Sequence, residues 1–151
     1  MPQSLARILV HVVFSTKHRE PFLNDPEIRR RMHAYLAQIC NDNDSHARIV
    51  GGVADHVHIL CDLSRTWSIA DLVGEIKRSS SKWIKTQGEN LSKFSWQNGY
   101  GAFSVSQSQI NRVSAYIQNQ EAHHARRTFQ QEYRGFLLKY DVAYDERYVW
   151  D

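Results

Sequence analysis

The residues best suited to chemistry in this sequence are two histidines separated by one valine, His56-Val57-His58, set in the apolar stretch Val53-Ala54-Asp55-His56-Val57-His58-Ile59-Leu60-Cys61. On a β-strand, residues i and i+2 project from one face. His56 and His58 therefore point the same way, with Val57 behind them. Two imidazoles fixed side by side make half of a metal site. The other half lies about sixty residues on, a separation that folds routinely bridge when they gather ligands. There, Tyr116 and Gln120 fall four apart in a segment that reads as helix, residues 111–121. Residues at that spacing share a helix face. If the face meets the histidines, His56, His58 and the carbonyl oxygen of Gln120 form a mixed nitrogen and oxygen site. Such a site keeps positions open for substrate or water, as a catalytic ion requires. Magnesium or manganese suits phosphate chemistry, although imidazole ligands favour transition metals over magnesium on softness alone.

Tyr116 has the chemistry of a nucleophile toward a phosphodiester. A free phenol titrates near pH ~10, so it is weak without help. An ion on a non-bridging phosphate oxygen would stabilise the charge that builds up during attack. The product, a phosphotyrosine, conserves the energy of the phosphodiester, so a free 3′-hydroxyl can later attack it and rejoin strands without ATP. Tyrosine serves better than water where cut ends must be joined again.

The elements that must position these groups follow from periodicity and turn chemistry. Residues 7–16, rich in β-branched side chains, read as a first strand. Asn24 or Asp25 caps a helix with Pro26 in its first turn, running to about Cys40 with Ile28, Met32, Tyr35, Leu36 and Ile39 inward. Residues 46–53 and 55–63 read as a hairpin after the polar turn at 41–45. Ser68 caps a second helix carrying Ile69, Leu72, Val73, Ile76 and Trp83. Residues 92–106 read as a fourth strand broken by Asn98-Gly99. A third helix opens at Gln107-Ser108, and a fourth covers 123–139. The order β-α-β-β-α-β followed by helices is the α+β, ferredoxin-like plan: an antiparallel sheet with helices on one face, plus C-terminal helices. No repeat or linker divides residues 1–151, which read as one domain.

With 151 residues and 42% hydrophobic side chains, the chain can bury a full core. No apolar run approaches a membrane span, and the first residues do not read as a signal peptide. Cys40 and Cys61 are too few for a disulfide framework and read as buried thiols of a reducing cytoplasm. A net charge of +3 permits nucleic acid without requiring it. Lys77, Arg78 and Lys82 could track a phosphate backbone, or form a solvated helix face. Tyr100, between Gly99 and Gly101, is a candidate for stacking on a base, ahead of Trp83 and Trp96. His123 and His124 read equally as phosphate or second-layer contacts and as a solvent-facing pair. Asp55 could orient a histidine or simply end a turn.

Several of these segments carry a resemblance. Asp55-His56-Val57-His58-Ile59-Leu60 resembles the His-hydrophobic-His motif of the HUH single-strand DNA endonucleases. Trp96-Gln97-Asn98-Gly99-Tyr100-Gly101-Ala102-Phe103-Ser104, the block from Tyr116 to His124 and the closing Tyr144-Asp145-Glu146-Arg147-Tyr148-Val149-Trp150-Asp151 are similar to further blocks of one branch, the small insertion-sequence transposases with a single catalytic tyrosine. The likeness runs in order along essentially the whole chain. It implies that His56, His58 and Gln120 hold a divalent ion, that Tyr116 forms a 5′-phosphotyrosine link, and that the protein works as a homodimer. It also implies a substrate of single-stranded element ends bearing imperfect hairpins. Related domesticated proteins act on repeated extragenic palindromes, and Asn119-Gln120 with His123-His124 look more like the transposase branch. Ala54 stands where that family often has proline. Three other readings compete: a domesticated relative, a nucleic-acid-binding module without chemistry, and a metal hydrolase that uses water.

Overall fold

The computed structural model describes residues 2–151. Its elements are β1 (Leu9–Ser15), α1 (Pro26–Asp42), β2 (Ala47–Gly52), β3 (His56–Asp62), α2 (Ile69–Ile84), β4 (Gly101–Val105), α3 (Ile110–Gln118), α4 (Gln120–His124) and α5 (Phe129–Lys139). The strands form one sheet in the order β2-β3-β1-β4, and every pairing is antiparallel. This is the ferredoxin-like arrangement expected from the element order.

Strand alternation divides the molecule into two sides. In β1 and β3, Val12, Phe14, Val57, Ile59 and Cys61 face one way and pack with Leu36 of α1 and Leu72, Val73 and Ile76 of α2 as the main core. On the opposite side, Val13 and Phe103 pack with Phe129, Tyr133 and Leu137 of α5 as a second, smaller core. The β1–β3 register sets Val13 against His58 and Ser15 against His56. The histidine pair therefore emerges on the side of the C-terminal helices. Cys40 and Cys61 are both buried free thiols.

Helix starts follow local chemistry. The Asp25 carboxylate accepts from the backbone N–H of Glu27 at 2.9 Å, ahead of Pro26. The Ser68 hydroxyl accepts from the N–H of Asp71 at 3.0 Å. Such caps satisfy donors that a helix leaves unpaired.

Three elements differ from expectation. The fourth strand begins only at Gly101. Before it the chain is irregular, with Trp96 bridged to Thr16. The Lys77 ammonium fixes this loop by donating to the carbonyls of Gln97, Asn98 and Gly99 at 2.8, 3.2 and 2.6 Å. The third helix stops at Gln118, because Asn119 leaves helical geometry (φ −99°, ψ 26°), so Gln120 opens a separate short helix. The single helix expected over 123–139 is likewise two. Thr128 adopts extended geometry and forms a reciprocal capping box with Gln131, which ends one helix and starts another.

Candidate active site

Three chain segments converge on one buried carboxylate. Glu132, in the first turn of α5, is fully buried. Its Oε1 lies 3.2 Å from His56 Nε2, 3.0 Å from His58 Nε2 and 3.1 Å from His124 Nε2. Its Oε2 accepts from the Tyr116 hydroxyl and, at 3.2 Å, from the Gln120 side-chain amide. Gln120 Oε1 is 3.2 Å from His56 Nε2, and Gln120 Nε2 also reaches the Tyr116 carbonyl at 3.4 Å. Arg127 donates to the Tyr116 hydroxyl at 3.0 Å. The helix break at Asn119 thus leaves Tyr116 and Gln120 adjacent, and both meet the histidine pair of their own chain.

Each imidazole is held by its far nitrogen. His56 Nδ1 is 2.7 Å from the Asp55 carboxylate, His58 Nδ1 is 2.8 Å from His11 Nε2, and His124 Nδ1 is 2.8 Å from the carbonyl of Arg127. These contacts turn all three Nε2 atoms inward.

The protonation pattern follows from these contacts. Burial disfavours a charged His56, but hydrogen bonds to Asp55 and Glu132 outweigh it and raise its pKa to about 9. With acceptors at both nitrogens, His56 is an imidazolium in the metal-free protein. His58 is shifted down, because its complete burial outweighs the attraction of Glu132. Burial, reinforced by His58, takes His11 down to about 3. His11 is therefore neutral at ordinary pH. Burial alone would raise the Glu132 carboxyl, yet the three imidazoles hold it well below the usual carboxylate range, so it is ionised. The Tyr116 phenol is shifted up by burial and by the adjacent Glu132, against the opposing pull of Arg127.

The other candidate residues have varied surroundings. His123 stacks on the Tyr116 ring, with centroids 4.5 Å apart. Asp55 orients His56, as one of its two readings anticipated. Lys77, Arg78 and Lys82 lie on α2, which covers the main core on the other side of the sheet from the histidines. Lys77 is engaged by the loop carbonyls, Arg78 is exposed and pairs with Glu75, and Lys82 is exposed. Tyr100 is half-buried against the main core, its ring centre 5.7 Å from the Lys77 ammonium. Trp83 stacks on Tyr35 at 4.6 Å, and Trp96 is buried, donating to the Ser80 hydroxyl.

Sequence reasoning missed Glu132, His11 and Arg127. Two left a signal. Glu132 is an acid on the apolar stripe Phe129, Tyr133, Phe136 and Leu137, and His11 interrupts a β-branched strand. A titratable group at a core position is a reason to look for partners. Arg127 left no comparable mark.

The donor set suits a divalent ion. The inward atoms of His56, His58, His124 and Glu132 all lie within 4.8 Å of one another. Three neutral-capable imidazoles and one ionised carboxylate are chemically competent ligands.

A ferredoxin-like sheet with a His-hydrophobic-His strand facing a helical tyrosine is the plan of the HUH nucleases. The chain belongs to the IS200-like transposases, whose family model matches residues 4–120; it is thus a member of a family of DNA-cleaving enzymes. No curated protein sequence matches it. Among solved structures it is similar to a Deinococcus radiodurans R1 protein described as a transposase, with TM-score 0.62 and 22% identity over 80% of this chain and 95% of that one. It is also similar to a REP-associated tyrosine transposase bound to a REP hairpin, with TM-score 0.59 and 12% identity over 82% of this chain and 73% of that one. Among the described residues, no helix is long and apolar enough to cross a membrane.

Proposed function

We propose that this protein is a transposase that cuts and rejoins single-stranded DNA at insertion-sequence ends, with Tyr116 as nucleophile and a divalent ion at the histidine pair. The observation that carries the reading is the meeting of Tyr116, Gln120, His56 and His58 around one buried carboxylate. When bound, the ion supplies charge stabilisation to the scissile phosphate and orients it. The resemblance assigns it to His56, His58 and Gln120.

The chain's own groups account for the rest. Tyr116 Oη attacks the scissile phosphorus, its bond to the 3′ oxygen breaks, and the 5′ side stays on the enzyme as a phosphotyrosine. The departing strand leaves as a 3′-hydroxyl. A 3′-hydroxyl from another end reverses the step and seals a new junction. Glu132 and Arg127 hold the phenol from two sides. Arg127 also favours the phenolate, and the proton the phenol gives up balances the one the departing 3′ oxygen takes up. Beside Tyr116 a cleft of 340 Å³ is lined by Arg112, Arg127, Phe136, Lys139 and Tyr140, which offers cations to phosphate and aromatic faces to a base. His123 and His124 flank the site, and Arg78 and Lys82, exposed on α2, offer a second DNA surface on the far side, whereas Lys77 is committed to the loop carbonyls and Tyr100 to the main core. The protein acts as a homodimer on hairpin-bearing ends, within a single domain of residues 1–151.

Incubating the protein with single-stranded hairpin oligonucleotides and Mn²⁺ tests this reading on a denaturing gel. The wild type should give a shifted protein–DNA band. Tyr116→Phe should keep hairpin binding and give no band. Covalent attachment by Tyr116→Phe would exclude Tyr116 as the nucleophile. A second reading, action on repeated palindromic hairpins, is favoured by the fold likeness to the hairpin-bound REP-associated protein. Preferential cleavage beside a palindromic repeat rather than at element ends would select it.

A further inference from the structure

The arrangement of the imidazoles says more about the ion than the paired-histidine motif does. We propose that the ion is held by His56, His58, His124 and Glu132, with Gln120 steadying Glu132 instead of coordinating. The inference rests on the reading that this site takes a divalent ion, and it changes both the ligand set and the class of ion.

His124 is equipped in the same way as the motif histidines. A ligating imidazole characteristically has its second nitrogen tied to a carboxylate, carbonyl or similar partner, which fixes the ring and aims the free nitrogen. Asp55 does this for His56, His11 for His58 and the Arg127 carbonyl for His124. Three rings from β3 and α4 thereby present Nε2 to one point. Glu132 Oε1 sits there, at 3.0 to 3.2 Å from each.

Glu132 has no exposed surface, and no lysine or arginine contacts its carboxylate among the described residues. A carboxylate in that position is costly unless positive charge meets it. The three Nε2 atoms converge on its Oε1, and a divalent cation among them would meet that charge. Gln120 is built differently. Its amide nitrogen is directed to Glu132 Oε2 and the Tyr116 carbonyl. Its oxygen lies within 3.2 Å of only one of the three imidazoles.

Three imidazoles and a single carboxylate are a poor set for Mg²⁺, which prefers oxygen ligands and retained water. They suit Zn²⁺, Co²⁺ or Mn²⁺. Magnesium, one of the two ions expected from phosphate chemistry, is thus disfavoured for this chain.

Metal titration of the whole protein tests the proposal without reference to activity. Zn²⁺, Co²⁺, Mn²⁺ and Mg²⁺ are titrated by calorimetry, and Co²⁺ is also followed by its visible absorption. Zn²⁺ and Co²⁺ should bind at least about 100-fold more tightly than Mg²⁺. His124→Phe, which keeps the ring volume, and Glu132→Gln should each weaken Co²⁺ binding by more than about 100-fold and change its spectrum, since loss of an outer partner alone costs about 10- to 100-fold. Gln120→Ala should stay within that outer-partner range and leave the Co²⁺ spectrum unchanged, because the ligands remain in place. Circular dichroism identifies a misfolded variant, and His124→Ala then replaces His124→Phe and Glu132→Asp replaces Glu132→Gln. Wild-type affinity and spectrum in the His124 and Glu132 variants, with loss in Gln120→Ala, would overturn this ligand set while leaving a metal-dependent transposase intact. Failure of the wild type to bind any of the four ions would overturn both.

Discussion

Glu132 does three jobs with two oxygens. One oxygen collects three imidazoles, and the other aligns the phenol and the Gln120 amide. This explains why Tyr116 and the histidine pair share a site although they lie far apart in the sequence. His56, His58, Tyr116 and Gln120 were legible in the sequence because their spacings match the periods of a strand and a helix. Glu132, His11 and His124 were not assignable. A partner across the fold has no fixed separation in the sequence.

His11 gives a pH prediction. Its pKa falls from 6.5 in the unfolded chain to about 3 in the folded one. Between those values the unfolded state binds more protons than the native state, so this group makes stability rise with pH. Stability should therefore drop as pH falls below 6.5 and level off near 3. Urea midpoints of the metal-free protein at steps from pH 7 to pH 4 should show the drop, and His11→Asn should make it shallower. An equally steep profile in the variant would assign the acid sensitivity to other groups.

At the scale of elements, site geometry depends on how α3 seats on the edge strand β2. Gly51 makes the seat possible. A Cβ at this position would lie 2.5 Å from the Ile117 carbonyl oxygen and 2.8 Å from Ile117 Cγ2. The oxygen belongs to the backbone of α3, one residue after Tyr116, so relief requires the helix to move. Gly51→Ala should cost about 1–3 kcal/mol by overpacking. It should also slow adduct formation far beyond its effect on folding, since a displacement on the order of 1 Å costs ~10²-fold when reacting groups are prealigned. Urea denaturation and single-turnover cleavage measure the two effects separately. A folded Gly51→Ala with wild-type cleavage would show that α3 tolerates the shift.

The strand and helix order was readable because the main core has clean periodicity: alternation in β1 and β3, helical spacing in α1 and α2. The C-terminal breaks were not. Residues 107–121 and 123–139 each contain enough helix-forming residues to read as continuous. The deciding features are local, namely the Asn119 geometry and the Thr128–Gln131 capping box. The fourth strand was read too long because aromatic residues in 92–100 serve an irregular loop that Lys77 holds from across the fold.

For the molecule as a whole, the two sides of the sheet have different tasks. The main core with α1 and α2 makes the sheet rigid, and the smaller core carries α5 and with it Glu132. That smaller core has little apolar surface of its own, and the C-terminal tail supplements it. Trp150 packs near Phe129 and Tyr133, with the Arg134 guanidinium 4.9 Å from its ring centre, and its indole N–H donates to Glu146. The Asp151 carbonyl accepts from the N–H of Gly99 at 2.8 Å, which ties the tail to the loop before β4. The tail thus braces α5 from outside while the imidazoles hold it from within. Trp150→Ala should remove part of this brace and cost about 1–2 kcal/mol, less than a fully buried tryptophan because its ring is only half-buried. The gap should widen as Co²⁺ is added, because an ion that binds only the folded site stabilises by mass action according to its affinity, and a displaced Glu132 weakens that affinity. Thermal melts with and without Co²⁺ would show the divergence. A gap that stays constant would mean that the tail stabilises the protein without bearing on the placement of Glu132.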